Sequence, residues 1–134
     1  MTTAVDSMVL IDLFQQEPGW SGRAATAIDH AIRAGRVVAC DVVWAEVAGR
    51  FESDAVLTAA MRELSVDFDG ISEAAATNAG RLWRRFRQSG GTRRDRIVPD
   101  FLVGAHALEK ADALLTRDRG FYRQYFKELR IIEP

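Results

Sequence analysis

Cysteine and histidine are scarce in this chain of 134 residues. The single cysteine, Cys40, cannot form an internal disulfide, which is typical of proteins in a reducing cytoplasm. His30 and His106 are too few for a zinc site built mainly from histidine, and we interpret both as non-ligands. No apolar run approaches the roughly 20 residues that a membrane-spanning helix needs. The N-terminus lacks the basic region of a signal peptide. We therefore expect a cytoplasmic protein with no membrane association.

Lysine is also scarce. Lys110 and Lys127 are the only two lysines, and the other basic side chains that are always charged are arginines. The net charge is −1, so the chain as a whole is not a polycation. One stretch is nevertheless crowded with arginines, namely Arg81, Arg84, Arg85, Arg87, Arg93, Arg94 and Arg96. Arginine presents a planar fork that suits phosphate. A solvated helix face explains such a stretch equally well.

Short apolar segments alternate with amphipathic ones along the chain, whose length suits one domain over residues 1–134. Strands are predicted at 2–5, 37–40, 66–68, 113–115 and 129–132. Helices are predicted at 7–16, 21–34, 42–50, 54–64, 73–88, 99–111 and 119–126. The alternation predicts βαβ units, and hence an α/β fold with a mostly parallel central sheet flanked by helices. Such sheets bind ligands beyond the carboxyl ends of their strands.

Four acidic residues lie near that edge of the predicted sheet: Asp6, Glu46, Asp100 and Asp118. Each has a structural explanation by itself, such as a helix cap or a buried ion pair with arginine. Together they would repel one another, and a bound cation removes that cost. Carboxylates without histidine or cysteine suit Mg²⁺ or Mn²⁺. The pattern predicts phosphodiester hydrolysis, in which one or two ions activate water and stabilise the leaving oxygen.

Other polar residues near these acids receive different interpretations. Thr116 and Arg117 could supply a hydroxyl and a cation at the end of the strand that precedes Asp118. Asp12 lies roughly 240° around the helix from Asp6, so we interpret it as structural or peripheral. Asp41 is predicted to be a helix N-cap. Gly104 lies on the same helix face as Asp100. Because glycine has no side chain, we expect the sheet or a phosphate to approach the helix closely there.

Three segments of the chain match a known family. They are VDSMVLIDLF near the start, DVVWAEVAGRF in the middle and RIVPDFLVGAHALEKADALLTRDRGFYRQYFKELRIIEP at the end. With these segments the chain resembles the PIN-domain ribonucleases, and most closely the VapC-type toxins of bacterial toxin–antitoxin modules. The D-F-L-x-G-A-H-A and L-x-T-R-D-R-x-F patterns are the most specific, whereas residues 53–94 are less diagnostic.

The resemblance implies a single PIN-like domain that acts as a Mg²⁺- or Mn²⁺-dependent endoribonuclease, the toxin of a type II module. It also implies a homodimer and inhibition by a cognate VapB-type antitoxin that inserts into the active-site groove. It assigns catalysis and metal binding to Asp6, Glu46, Asp100 and Asp118, with Ser7 and Thr116 as hydroxyl neighbours. Arg117, Arg93, Arg94 and Arg96 are predicted to hold the RNA backbone. Met8 departs from the family, which often has a small or polar residue there, and this bears on substrate fit.

Two other classes of function are weighed beside the nuclease. A phosphatase with Asp6 as nucleophile would have a second aspartate two residues later, where Met8 stands. A receiver-like signalling domain would have a lysine where Arg117 and Asp118 stand. A PIN-like scaffold that only binds RNA would usually have lost an acid, and none is missing. Metal-dependent cleavage of a mixed RNA pool separates a nuclease from a scaffold.

Overall fold

The computed structural model describes residues 1–90 and 97–134, and the predicted alternation of strands and helices is confirmed there. The strands are β1 (Thr2–Val5), β2 (Arg36–Ala39), β3 (Val66–Phe68), β4 (Ala113–Leu115) and β5 (Arg130–Ile132). The helices are α1 (Ser7–Phe14), α2 (Ser21–Ala34), α3 (Asp41–Ala48), α4 (Asp54–Glu63), α5 (Glu73–Gln88), α6 (Ile97–Lys110) and α7 (Arg119–Tyr125). The described residues thus form an α/β fold around one five-stranded sheet.

All neighbouring strands of the sheet are parallel, in the order β3-β2-β1-β4-β5. The central strand β1 pairs on one side with β2, where Thr3 lies opposite Val37, and on the other with β4, where Thr3 lies opposite Ala113. The strand order therefore reverses at β1, because β2 and β3 extend to one side and β4 and β5 to the other. Parallel sheets open a crevice at the carboxyl end of such a switch point. Here that crevice lies beyond Val5 and Leu115.

The starts of the helices agree with the sequence pattern in most places. The Ser53 hydroxyl accepts from the backbone N–H of Val56 at 3.2 Å, and the Ser72 hydroxyl caps α5 in the same way. The prediction that Asp41 is an N-cap is wrong. Strand β2 ends one residue earlier than predicted, so Cys40 takes the N-cap position and Asp41 lies in the first helical turn. A carboxylate still has a favourable interaction with the helix dipole there.

Helix α6 begins two residues before the position that Pro99 predicts. Pro99 is the third residue of Ile97–Lys110, and not the first. The first-turn N–H groups of a helix have no partner within the helix, so proline is tolerated there without loss of a hydrogen bond. No helix in the described parts of the chain is both long and apolar enough to cross a membrane.

Helices α5, α6 and α7 share an aromatic core beside the sheet. The ring of Phe101 lies 5.1 Å from that of Phe121 and 6.4 Å from that of Phe126, measured between centroids. Gly104 of α6 faces the same rings. A Cβ atom at Gly104 would overlap the Phe126 ring, which is buried. The close approach predicted for Gly104 is therefore to an aromatic ring, and not to the sheet or to a phosphate.

We expect Gly104→Ala to destabilise the protein by about 1–2 kcal/mol, because overpacking outweighs the helix propensity that alanine adds. The matched control is Gly80→Ala on α5, where an added Cβ meets nothing within 4 Å. That control should raise stability by roughly 0.5–1 kcal/mol. Urea denaturation measures both variants. Equal stability changes for the two would contradict the packing that we describe at Gly104.

Candidate active site

Asp6 lies in the crevice beyond β1, where two other segments fix its side chain. Its backbone N–H donates to the carbonyl of Leu115 at 2.9 Å, which continues the pairing of β1 with β4. One carboxylate oxygen, Oδ1, accepts from the backbone N–H of Ser7 at 2.8 Å, and Oδ2 accepts from the Thr116 hydroxyl at 2.7 Å. Asp6 is only 5% exposed. It therefore caps α1 and occupies the predicted site at once, so these two explanations are compatible.

Thr116 connects Asp6 to Asp118. Its buried hydroxyl donates to Asp6 and accepts from the backbone N–H of Asp118 at 3.0 Å. Asp118 in turn is the N-cap of α7 and accepts from the Phe121 N–H at 3.5 Å. A single hydroxyl therefore fixes both a carboxylate at the end of β1 and the turn that follows β4.

Glu46 joins this group through Ser7. The Ser7 hydroxyl donates to Oε1 of Glu46 at 3.3 Å, and Glu46 is half-buried on α3. Helices α1 and α3 pack against each other, which holds the two residues at the same edge of the sheet. The predicted Asp6, Ser7, Glu46, Thr116 and Asp118 thus form a continuous set of neighbours.

Asp100 reaches the same end of the fold by a different route. Only two residues separate the end of α6 from the start of β4, so α6 must run antiparallel to that strand. Its first turn, which contains Asp100, therefore lies toward the carboxyl ends of the strands. Helix α6 packs against β1, β4 and α3, and Asp100 is only 5% exposed. The structure places Asp100 on an element that borders the group around Asp6.

The side chains at this edge offer oxygen donors, which are the ligands that Mg²⁺ and Mn²⁺ prefer. Each carboxylate oxygen has two lone pairs, so Asp6 can keep its hydrogen bonds and still accept a cation. The chemical type of these oxygen donors therefore suits a hard divalent ion. Within residues 1–90 and 97–134, however, no three Asp, Glu, His or Cys side chains already form a metal-binding group.

Arg117 pairs with Asp12, a contact that the sequence did not predict. Nη1 of Arg117 donates to both carboxylate oxygens of Asp12, at 3.0 and 2.9 Å, and Asp12 is only 2% exposed. The guanidinium also lies 3.8 Å from the centroid of the Trp20 ring. Asp12 is structural, as interpreted, because it anchors the segment between Thr116 and Asp118 onto α1. These contacts give Arg117 a role within the protein, and its contact with RNA stays a prediction.

His106 and Cys40 have structural surroundings. His106 is buried on α6, and its Nε2 lies 2.7 Å from Oδ2 of Asp69, a pair that the sequence did not suggest. His30 lies exposed on α2. Burial raises the pKa of the Cys40 thiol to about 11, so Cys40 is protonated at neutral pH and unsuited to act as a nucleophile. Arg93, Arg94 and Arg96 lie outside the described residues.

The chain matches one protein-family model, described as PIN domain, over residues 3–127. In sequence, no curated protein matches it. Several solved structures share its fold. The VapBC2 complex of Rickettsia felis, bound to a DNA fragment from its promoter, includes a chain with a TM-score of 0.74 and 14% identity. That match covers 100% of this chain and 99% of the other.

Two further structures give similar values. VapBC-1 of nontypeable Haemophilus influenzae has a TM-score of 0.71 and 20% identity, over 99% of this chain and 98% of the other. A toxin–antitoxin complex of Klebsiella pneumoniae has a TM-score of 0.67 and 19% identity, over 97% of this chain and 95% of the other. At these identities the similarity concerns the fold. It extends over nearly the full length of each chain.

Proposed function

This chain belongs to the PIN-domain family, and from that membership we propose that it is a Mg²⁺- or Mn²⁺-dependent endoribonuclease, the toxin of a type II toxin–antitoxin module. PIN domains are generally nucleases. The observation that carries the proposal is the hydrogen-bonded link from Asp6 through Thr116 to Asp118 at the switch point of the sheet. We further propose that the domain spans residues 1–134.

PIN nucleases generally use divalent metal ions. In our proposal Asp6, Glu46, Asp100 and Asp118 hold the cation, because they offer oxygen donors from four segments around one edge of the sheet. Such an ion, when bound, activates water and stabilises the leaving oxygen of a phosphodiester.

The hydroxyl groups keep these carboxylates in fixed positions before substrate arrives. Thr116 holds Oδ2 of Asp6 at 2.7 Å, and the Ser7 hydroxyl contacts Glu46 at 3.3 Å. A preorganised set of charges lowers the activation barrier more than a mobile one, because no reorganisation is needed during the reaction. We therefore assign Thr116 and Ser7 to positioning, and not to proton transfer.

The proposed partner is a VapB-type antitoxin, and the structural similarity to chains of VapBC complexes supports it. The antitoxin would insert a segment into the groove at the acidic edge and prevent RNA from entering. We also propose that the protein is a homodimer. Growth arrest on induction of this chain, relieved by co-expression of a small protein encoded next to it, would support the role of toxin.

Metal-dependent cleavage of a mixed RNA pool tests the enzymatic part of the proposal. We expect cleavage by the purified protein with Mg²⁺ or Mn²⁺, none with EDTA, and recovery when excess Mg²⁺ is restored. The reason is that the carboxylates alone repel the phosphate and supply no Lewis acid to stabilise the leaving oxygen. Undiminished cleavage in EDTA would contradict a metal mechanism. A folded, metal-loaded protein that cuts no RNA in the pool would contradict the nuclease assignment.

A further inference from the structure

The last two turns of α5 carry a cluster of exposed arginines: Arg81, Arg84, Arg85 and Arg87, which we name the arginine face. Arg81, Arg84 and Arg85 fall within roughly 100° of the helix circumference, since residues three and four apart share a face. The buried residues Phe86 and Ala79 lie on the opposite side. Arg81, Arg84 and Arg85 thus point to solvent as one surface, and Arg87 lies at its margin, roughly 60° around the helix from Arg84.

Acidic residues do not neutralise the arginine face within the described parts of the chain. Arg81 donates to the side-chain oxygen of Asn78 at 2.9 Å, and the Arg87 guanidinium lies 4.5 Å from the centroid of the Trp83 ring. Neither contact involves a carboxylate. Arg33, by contrast, pairs with Asp29 at 2.8 Å. The arginine face keeps its positive charge although the chain has a net charge of −1.

The arginine face lies at the same end of the fold as Asp100. Helices α5 and α6 run antiparallel, because the Ser72 hydroxyl at the start of α5 donates to the carboxylate of Glu109 near the end of α6, at 2.7 and 2.8 Å to its two oxygens. At the opposite end of this helix pair, the rings of Phe86 and Phe101 lie 6.1 Å apart. Phe101 follows Asp100 directly in the chain. The arginine face therefore lies at the same end of the fold as Asp100, on the side of α5 that points away from α6.

We infer that the arginine face binds the phosphate backbone of single-stranded RNA at the end of the fold that carries Asp100. This inference rests on the proposed ribonuclease function. Exposed guanidinium groups without carboxylate partners can form bidentate hydrogen bonds with phosphate. An acidic catalytic edge repels RNA, so a separate cationic surface is needed to retain the strand.

Another explanation is that these arginines only stabilise the C-terminal end of α5 through the helix dipole. The two explanations differ in what they predict for salt. Each phosphate contact adds about 0.7 to the slope of log affinity against log salt for a single strand. A purely structural role changes the stability of the protein and leaves that slope unaltered.

The test compares R84A/R85A with R33A/R62A. Arg33 and Arg62 also lie exposed in the last turns of helices, α2 and α4, and the second double variant changes the net charge equally. Binding of a fluorescently labelled single-stranded RNA of mixed sequence is measured by anisotropy in EDTA, over a series of salt concentrations. We expect R84A/R85A to bind roughly tenfold more weakly and to lower the salt slope by about 1.4. R33A/R62A should match the wild type.

Three results would overturn the inference. The first is an unchanged salt slope in R84A/R85A, with or without a loss of stability. The second is an equal loss in R33A/R62A, which would indicate a general effect of net charge. The third is unchanged RNA binding with loss of antitoxin binding, which would assign the arginine face to a protein partner. Cleavage with Mg²⁺ is assayed separately on the wild type, so failure of the proposed nuclease function is distinguishable from failure of the arginine face.

Discussion

Replacing Asp100 with asparagine should lower metal-dependent RNA cleavage by roughly 10³-fold and leave the protein folded. Asp100 is 5% exposed in the first turn of α6, and asparagine has nearly the same shape. Packing is therefore kept, while the negative charge proposed to hold the cation is lost.

The matched control is Asp54→Asn, since Asp54 also lies in the first turn of a helix, α4, but on the surface. The control should cleave RNA at the wild-type rate. Circular dichroism reports whether each variant is folded, and titration calorimetry with Mn²⁺ reports metal binding independently of activity. If a folded Asp100→Asn protein cut RNA as fast as the wild type and bound Mn²⁺ equally well, the assignment of Asp100 would be wrong.

Removal of the Arg117 side chain should cost about 2–4 kcal/mol of stability. Arg117→Ala would leave the carboxylate of Asp12 unpaired although it is only 2% exposed, and would remove the guanidinium stacked on Trp20. The lower part of the range is favoured because Arg117 itself is 27% exposed, so water can reach the vacated position. The midpoint of urea denaturation measures the change.

Two further variants separate the buried pair from a general loss of charge. Arg119→Ala removes a neighbouring arginine whose pair with Glu133 is about half exposed, and should cost less than about 1 kcal/mol. The double variant Asp12→Asn/Arg117→Ala should recover part of the lost stability, because asparagine needs no counter-charge. Equal losses for Arg117→Ala and Arg119→Ala, or no recovery in the double variant, would argue against a buried ion pair that stabilises the fold.

Much of the fold was predictable from the sequence, because local patterns determine it. Strands β1, β3 and β4 have the predicted bounds, as does α2, which ends at Ala34 and is capped by Gly35 with a positive φ of 156°. Strands β2 and β5 each begin one residue away from the prediction, and α1, α3 and α7 end one or two residues earlier. Such ends depend on single hydrogen bonds, which periodicity does not resolve.

The candidate site, like the fold, was predictable only in part from the sequence. The positions of Asp6 and Asp118 follow from the parallel sheet, whose strands end at a common edge. The pairs Arg117–Asp12 and His106–Asp69 join residues 105 and 37 positions apart, and nothing local at either partner indicates them. Helical periodicity predicted that Asp12 points away from Asp6. It could not identify Arg117 as the residue that pairs with Asp12. The phosphatase and receiver alternatives gain no support, because the family that matches the chain is the PIN domain.

The hydrogen bond from Thr116 to Asp6 joins residues 110 positions apart, across the centre of the sheet. Proteins begin to fold from the N-terminus during synthesis. A nascent chain that has emerged as far as Glu46 holds Asp6 and Ser7 but neither Thr116 nor Asp118. Such a chain cannot assemble the acidic edge. The proposed ribonuclease would therefore become active only after β4 and the turn that follows it have been made.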